Sequence, residues 1–163
     1  DPFVPPPFPI THGQVVTAIP FDNAVVTASI TGAELLAWLE HGVALMPTPI
    51  GRFAQVSGLC VTYDISAGSG ARVVRAVRQA VDGGCTGAAL DLTAASSYTL
   101  ATNDFIAGGG DGYPALVGPT VHGTMSQVVS DWIDARDTIN PTIQGRVSCT
   151  TTGATTCPAI TEP

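Results

Sequence analysis

The sequence predicts an α+β fold: a single domain in which a mixed β-sheet carries a few packed helices. Three observations lead there. The chain has 163 residues, the size of one ordinary domain. Short β-branched runs outnumber helical patterns, and the two kinds of segment do not alternate as parallel βαβ units require. Glycines (18) and prolines (13) are frequent enough to demand long irregular connections, where function commonly resides.

In chain order, residues 1–9 contain five prolines and read as an extended linker. Residues 14–19 and 24–30 read as two strands, separated by the turn-rich Pro20-Phe21-Asp22-Asn23. A helix follows. Thr31 and Glu34 form a capping box, Leu35, Leu36, Leu39 and Val43 recur on one face, Trp38 lies near that face, and Gly42 stands where a left-handed cap belongs. Pro47, Pro49 and Gly51 mark a loop leading into a strand at 59–63. Residues 72–81 read as a strand exposed on one face, ended by Asp82-Gly83-Gly84. A strand at 98–102 runs into Asn103-Asp104-Phe105 and a glycine-rich loop. Residues 126–136 form a second helix with Val128, Val129, Trp132 and Ile133 as its apolar stripe. A last strand at 145–147 precedes a Thr-rich tail over 148–163, so the domain proper is expected at 10–147.

Composition narrows the function. All six basic residues are Arg, none is Lys, and the net charge is -7. A P-loop needs its phosphate-reaching Lys, Schiff-base chemistry needs a Lys amine, and nucleic-acid binding needs a basic face, so none of these is built here. No apolar run reaches the ~18 residues of a membrane span, and residues 1–9 lack the pattern of a signal peptide.

Cys60, Cys85, Cys149 and Cys157 allow three pairings. Proximity in sequence favours Cys60 with Cys85 and Cys149 with Cys157, worth about 3.5 and about 2.6 kcal/mol in the chain-entropy model. Four buried thiols in a cytosolic protein are the alternative. The Thr-rich, Lys-free composition favours an oxidising compartment.

Chemistry-bearing clusters are few. His12, His41 and His122 lie far apart, each beside a glycine, and read as histidines at turns and a helix end, not as metal ligands. Gly-x-Ser-x-Gly is absent and no carboxylate pair stands out. The informative segment is Gly108-Gly109-Gly110-Asp111-Gly112, set between Phe105 and Tyr113. Glycines such as Gly109 and Gly110 let backbone approach a ligand closely. A single carboxylate, Asp111, can accept two hydrogen bonds from the vicinal hydroxyls of a ribose. An exposed Phe105 offers a flat apolar face for a base. A plain hairpin loop, a calcium-type fragment and a phosphate nest remain open for the same residues; no repeat supports calcium, and no basic residue nearby in sequence supports phosphate. Phe53 is the second candidate ring, though taken alone it reads as a core residue ahead of a strand.

Several separated motifs, in order, carry a family resemblance. They are Ile10-Thr11-His12-Gly13-Gln14-Val15-Val16, Ile19-Pro20-Phe21-Asp22-Asn23, Leu35 through Glu40-His41-Gly42-Val43, Gly51-Arg52-Phe53 with Gln55-Val56-Ser57-Gly58, Tyr63-Asp64, and Thr102-Asn103-Asp104-Phe105 through Gly109-Gly110-Asp111-Gly112-Tyr113. Together they resemble the C-terminal, substrate-specificity domain of the 5'-nucleotidase and UDP-sugar hydrolase family, over residues 10–147. The resemblance implies that Phe53 and Phe105 sandwich a base and that Asp111 binds the ribose hydroxyls. It also implies two divalent metal ions, with the catalytic groups, in an N-terminal metallophosphoesterase domain that these 163 residues do not include. The upstream Asn-x-Gly-Gly-x-Arg segment of the family is likewise absent. The resulting expectation is a nucleoside-binding domain of a secreted, periplasmic or cell-surface enzyme, inactive by itself, with a nucleotide ligand and no nucleic-acid partner. A non-enzymatic adhesion module on the same fold, or a family member acting on UDP-sugars or cyclic nucleotides, is the alternative.

Overall fold

The computed structural model describes residues 7–48 and 50–158. Most of the proline-rich stretch expected as a linker, and the end of the tail, lie outside them. The elements in order are α1 (His12–Ala18), β1 (Ala24–Thr31), α2 (Gly32–Val43), β2 (Leu59–Asp64), β3 (Val73–Arg78), β4 (Ser97–Asn103), α3 (Asp104–Ala107), a 3-10 turn (Gly110–Gly112), β5 (Thr120–Thr124), α4 (Met125–Asp134) and β6 (Val147–Thr150). They form two three-stranded sheets, ordered β4-β1-β5 and β3-β2-β6. The second sheet is mixed, because β2 pairs antiparallel with β3 and parallel with β6. This is the α+β architecture read from the sequence.

Chain contacts divide into two units. The first comprises the residues up to Ala28, Leu100–Gly110 and Ala115–Thr142. In it, β1 pairs antiparallel with β5 around a bulge between Ala24 and Val26, and α1 packs against α4. A hydrogen bond of 2.9 Å between His12 Nδ1 and Ser130 Oγ joins the two helices. Residues 14–19, expected as a strand, belong to α1. Thr11 and Gln14 form a reciprocal capping box, which satisfies free amides at the helix start and outweighs the β-branched composition of the run. In α4, Val128 and Trp132 of the expected stripe stay exposed, and the Arg136 guanidinium sits 4.0 Å over the Trp132 ring.

The second unit comprises Ser29–Thr99, Asp111–Pro114 and the residues from Ile143 onward. Thr31 and Glu34 cap α2 as expected. Gly42, expected as a left-handed cap, instead lies buried inside the helix, where a β-carbon would come within 3.0 Å of the Tyr113 hydroxyl. Arg72 terminates the helix: its Nη1 donates to the carbonyls of Val43 at 2.7 Å and Met46 at 2.8 Å. Buried Glu40 accepts from the backbone amides of Arg72 and Val73 at 3.1 and 2.7 Å, fastening α2 to the start of β3.

The strand expected over 72–81 is shorter, its pairing with β2 shifts register at Thr62/Tyr63, and Ala76 and Val77 are both buried, so the expected alternation is not kept. The last strand falls at Val147–Thr150 and not at 145–147, since its partner is β2, a tertiary choice invisible in local composition. Val43, Tyr63 and Ile65 centre a hydrophobic cluster that also takes in Met46, Phe53, Val73, Val147, Cys149 and Cys157. Both expected disulfides are present, Cys60–Cys85 and Cys149–Cys157.

Candidate functional site

The first unit carries Phe105. Strand β4 ends at Asn103, whose side chain accepts from the Ile106 amide at 2.8 Å and so opens the single-turn helix α3. The glycine-rich segment is therefore the exit of a helical turn and not a hairpin loop. Phe105, on that turn, is 52% exposed. Its ring lies against the chain at Gly110: a β-carbon there would stand 2.5 Å from Phe105 Cε1 and 2.6 Å from the Phe105 carbonyl oxygen. Gly109 has a φ of 95°, a conformation that side chains seldom adopt.

A second ring in this unit was missed as a site candidate. Phe21, in the turn before β1, is 74% exposed. Asn23 Nδ2 donates to Asp104 Oδ1 at 2.8 Å, and the same Asp104 oxygen accepts from the Phe105 amide at 2.9 Å. The bond from Asn23 is the main cause holding the Asp104 carboxyl below its ordinary pKa. One carboxylate thus ties the turn that bears Phe21 to the turn that bears Phe105. An aromatic residue set among Pro, Asp and Asn was the signal available in the sequence, since a turn has no core face on which to bury a ring.

The second unit carries Phe53 and Asp111. Phe53 is half-buried in the hydrophobic cluster, its ring meeting that of Tyr63 edge-on at 6.1 Å. This is the core environment that its sequence context by itself suggests. Asp111 is exposed and left-handed, with φ 53° and ψ 18°. Its carbonyl oxygen is hydrogen-bonded to His41 Nε2 at 2.9 Å. Tyr113, 8% exposed, packs its ring against Trp38 at 4.9 Å and His41 at 4.6 Å, and its hydroxyl donates to the Arg52 carbonyl at 2.6 Å. Burial pushes the Tyr113 hydroxyl above its usual pKa, with the Arg52 charge opposing and Asp111 reinforcing. Arg52, distant in sequence, is thus brought back to the glycine-rich segment, where the sequence showed no basic residue.

Among the described residues, no three His, Cys, Asp or Glu side chains come together as a metal site. His12 is bonded to Ser130, His41 to Asp111 and His122 to Thr27. Among the described residues, no helix is long and apolar enough to cross a membrane.

The family profile described as "5'-nucleotidase, C-terminal domain" matches residues 4–118. The chain belongs to this family. It is 34% identical over 104 residues to the trifunctional nucleotide phosphoesterase protein YfkN of Bacillus subtilis, covering 64% of this chain and 7% of that protein. It is 31% identical over 146 residues to a snake venom 5'-nucleotidase of Gloydius brevicauda, covering 85% of this chain and 24% of that protein. The crystal structure of a 5'-nucleotidase precursor from Thermus thermophilus matches with a TM-score of 0.76 at 30% identity, over 90% of this chain and 29% of that one. The chain thus spans about a quarter or less of these two relatives.

Proposed function

We propose that this chain is the nucleoside-recognising domain of an extracellular 5'-nucleotidase, and that phosphate-ester hydrolysis belongs to an N-terminal metallophosphoesterase domain of the same polypeptide. Family membership supports the assignment to a hydrolase, and two disulfides support an oxidising compartment. The implied pair of divalent ions finds no fitting donor set among the described residues of this chain, so it is assigned to that other domain. What this chain's residues do is bind and orient.

The observation that carries the reading is Phe105, exposed on a helical turn directly ahead of Gly109, Gly110 and Asp111. Its open face stacks on a base; Gly109 and Gly110 keep side chains away from the ligand; and Asp111 accepts hydrogen bonds from the ribose hydroxyls. Phe21 is the better second ring, because it is exposed in the same unit and tied to Phe105 through Asn23 and Asp104. Phe53 is half-buried and packs edge-on against Tyr63.

Calorimetric titration of adenosine into the chain and its Phe105→Ala variant tests the reading. Loss of one base-stacking face is expected to weaken binding by about 1–3 kcal/mol. Unchanged affinity in the variant refutes the stacking role. Metal-dependent release of phosphate from AMP by this chain alone, in proportion to its concentration, refutes the division of labour.

A further inference from the structure

Asp111 has an unusual backbone for a residue with a side chain. Its φ of 53° and ψ of 18° lie in the left-handed region, which Asp tolerates better than most residues but does not prefer. Gly110 and Gly112 flank it, so its immediate neighbours impose no conformation on it.

The restraint comes from helix α2. The Asp111 carbonyl lies 2.9 Å from His41 Nε2, and since a carbonyl only accepts, the hydrogen must sit on Nε2. Either the neutral tautomer protonated there or the imidazolium fulfils this. His41 is itself held. It occupies the last turn of α2, and its ring meets the buried Tyr113 ring at 4.6 Å, nearly edge-on. Tyr113 is fixed in turn by its hydrogen bond to the Arg52 carbonyl and by Trp38. The His41 ring also lies close against Gly112, where a β-carbon would stand 3.2 Å from Cε1. The peptide after Asp111 is therefore gripped by a side chain with little freedom to move.

We propose that His41 is a positioning residue for ribose recognition: by donating from Nε2 to the Asp111 carbonyl, it fixes the left-handed backbone that aims the Asp111 carboxylate. The inference rests on the reading of Asp111 as the ribose-binding group. Two hydrogen bonds to vicinal hydroxyls need both carboxylate oxygens in one orientation, and a residue between two glycines keeps no single orientation unless something outside the loop holds it. Without the His41 contact, the carboxylate samples several directions and ribose recognition weakens, while base stacking is untouched.

Ribose selectivity is the readout. Adenosine and 2'-deoxyadenosine are titrated into the full chain and into Asp111→Asn, His41→Ala and His41→Gln variants. The unmodified chain is expected to prefer adenosine by about tenfold or more, the scale of a hydrogen bond to a charged group, and Asp111→Asn to erase that preference. His41→Ala is expected to lower it to about twofold with the affinity for 2'-deoxyadenosine unchanged, and His41→Gln, whose amide reaches about as far as Nε2, to restore most of it. If Asp111→Asn erases the preference but His41→Ala keeps it whole, the role of His41 is overturned and the reading of Asp111 stands. Equal loss of both nucleosides in His41→Ala also overturns it, since that is the mark of a general structural role. If Asp111→Asn leaves selectivity as it was, the reading of Asp111 fails and the inference with it. Long-range proton–nitrogen spectra of the unmodified chain provide a test that needs no variant to fold: a neutral His41 with its hydrogen on Nδ1 overturns the proposal.

Discussion

Asn23 donates its side-chain amide to Asp104 across 81 positions of sequence, at 2.8 Å, and the acceptor oxygen is the one that also receives the Phe105 amide. The bond joins a turn preceding β1 to a turn following β4, and each turn carries an exposed aromatic ring. Asn23→Ala removes the side-chain donor and leaves Asp104 with the backbone amides of Ala24 and Phe105. We expect adenosine binding to fall while thermal stability changes little, since the bond lies at the surface. Calorimetry beside a melting curve checks this; a large loss of stability with full affinity retained would make the bond a structural clamp alone.

Phe21 and Phe53 separate by what each touches. Phe21→Ala is expected to weaken adenosine binding by about 1–3 kcal/mol with little change in stability. Phe53→Ala is expected to do the reverse: it opens a gap beside Tyr63 and costs about 2–4 kcal/mol of folding stability, somewhat below the cost of deleting a fully buried ring. Denaturant unfolding and titration on both variants decide the matter. Loss of affinity without loss of stability in Phe53→Ala returns that ring to the binding face.

How far the sequence reached is clear from such particulars. The capping box at Thr31 and Glu34 was legible, and so were the two disulfides, because both depend on neighbours in the chain. The equivalent box at Thr11 and Gln14 was just as visible, but a β-branched run hid it. The end of α2 was not legible, because the group that takes its last carbonyls is Arg72, some thirty residues on. The distinction between Phe21 and Phe53 was out of reach for the same reason: both precede strands, and only the assembled cluster around Tyr63 shows which ring has a core to enter. Asp111 and Phe105 stood out because glycine clustering is a local signal.

Asp64 supplies a prediction on pH. Its Oδ1 accepts from the Ser66 amide at 2.8 Å and hydroxyl at 2.6 Å, and its Oδ2 accepts from the Thr152 hydroxyl at 2.6 Å. These bonds, the Ser66 hydroxyl first and the Thr152 hydroxyl second, hold the carboxyl down at about 2, against an ordinary value of 3.8. A group depressed on folding stabilises the native state fully above its unfolded value and loses that contribution as pH falls through the folded one. The window is therefore pH 4 to 2. Asp64→Asn is expected to be less stable than the unmodified chain at neutral pH, with the gap closing as pH falls toward about 2. Unfolding curves at a series of pH values check it, and a gap that stays constant through that window refutes it.

Gly110 provides a test at the boundary of packing and binding. A β-carbon placed there meets Phe105 on two sides, the ring at 2.5 Å and the carbonyl oxygen at 2.6 Å. The ring could swing away, but the carbonyl belongs to the backbone of the α3 turn and is held by its own neighbours, among them the Asn103 cap and the Asp104 carboxylate. Gly110→Ala therefore has to displace both, at a cost of about 1–3 kcal/mol, typical of overpacking. The displaced ring no longer presents the same face, so adenosine affinity is expected to fall along with stability. Gly118→Ala is the control. Gly118 has a positive φ of 61°, which Gly110 does not, and nothing lies within 4 Å of its β-carbon position, so a side chain there brings backbone strain without a collision. Equal losses of affinity in the two variants would mark a general response to losing a glycine and dismiss the contact with Phe105; a loss confined to Gly110→Ala shows that glycine is required there to seat the ring.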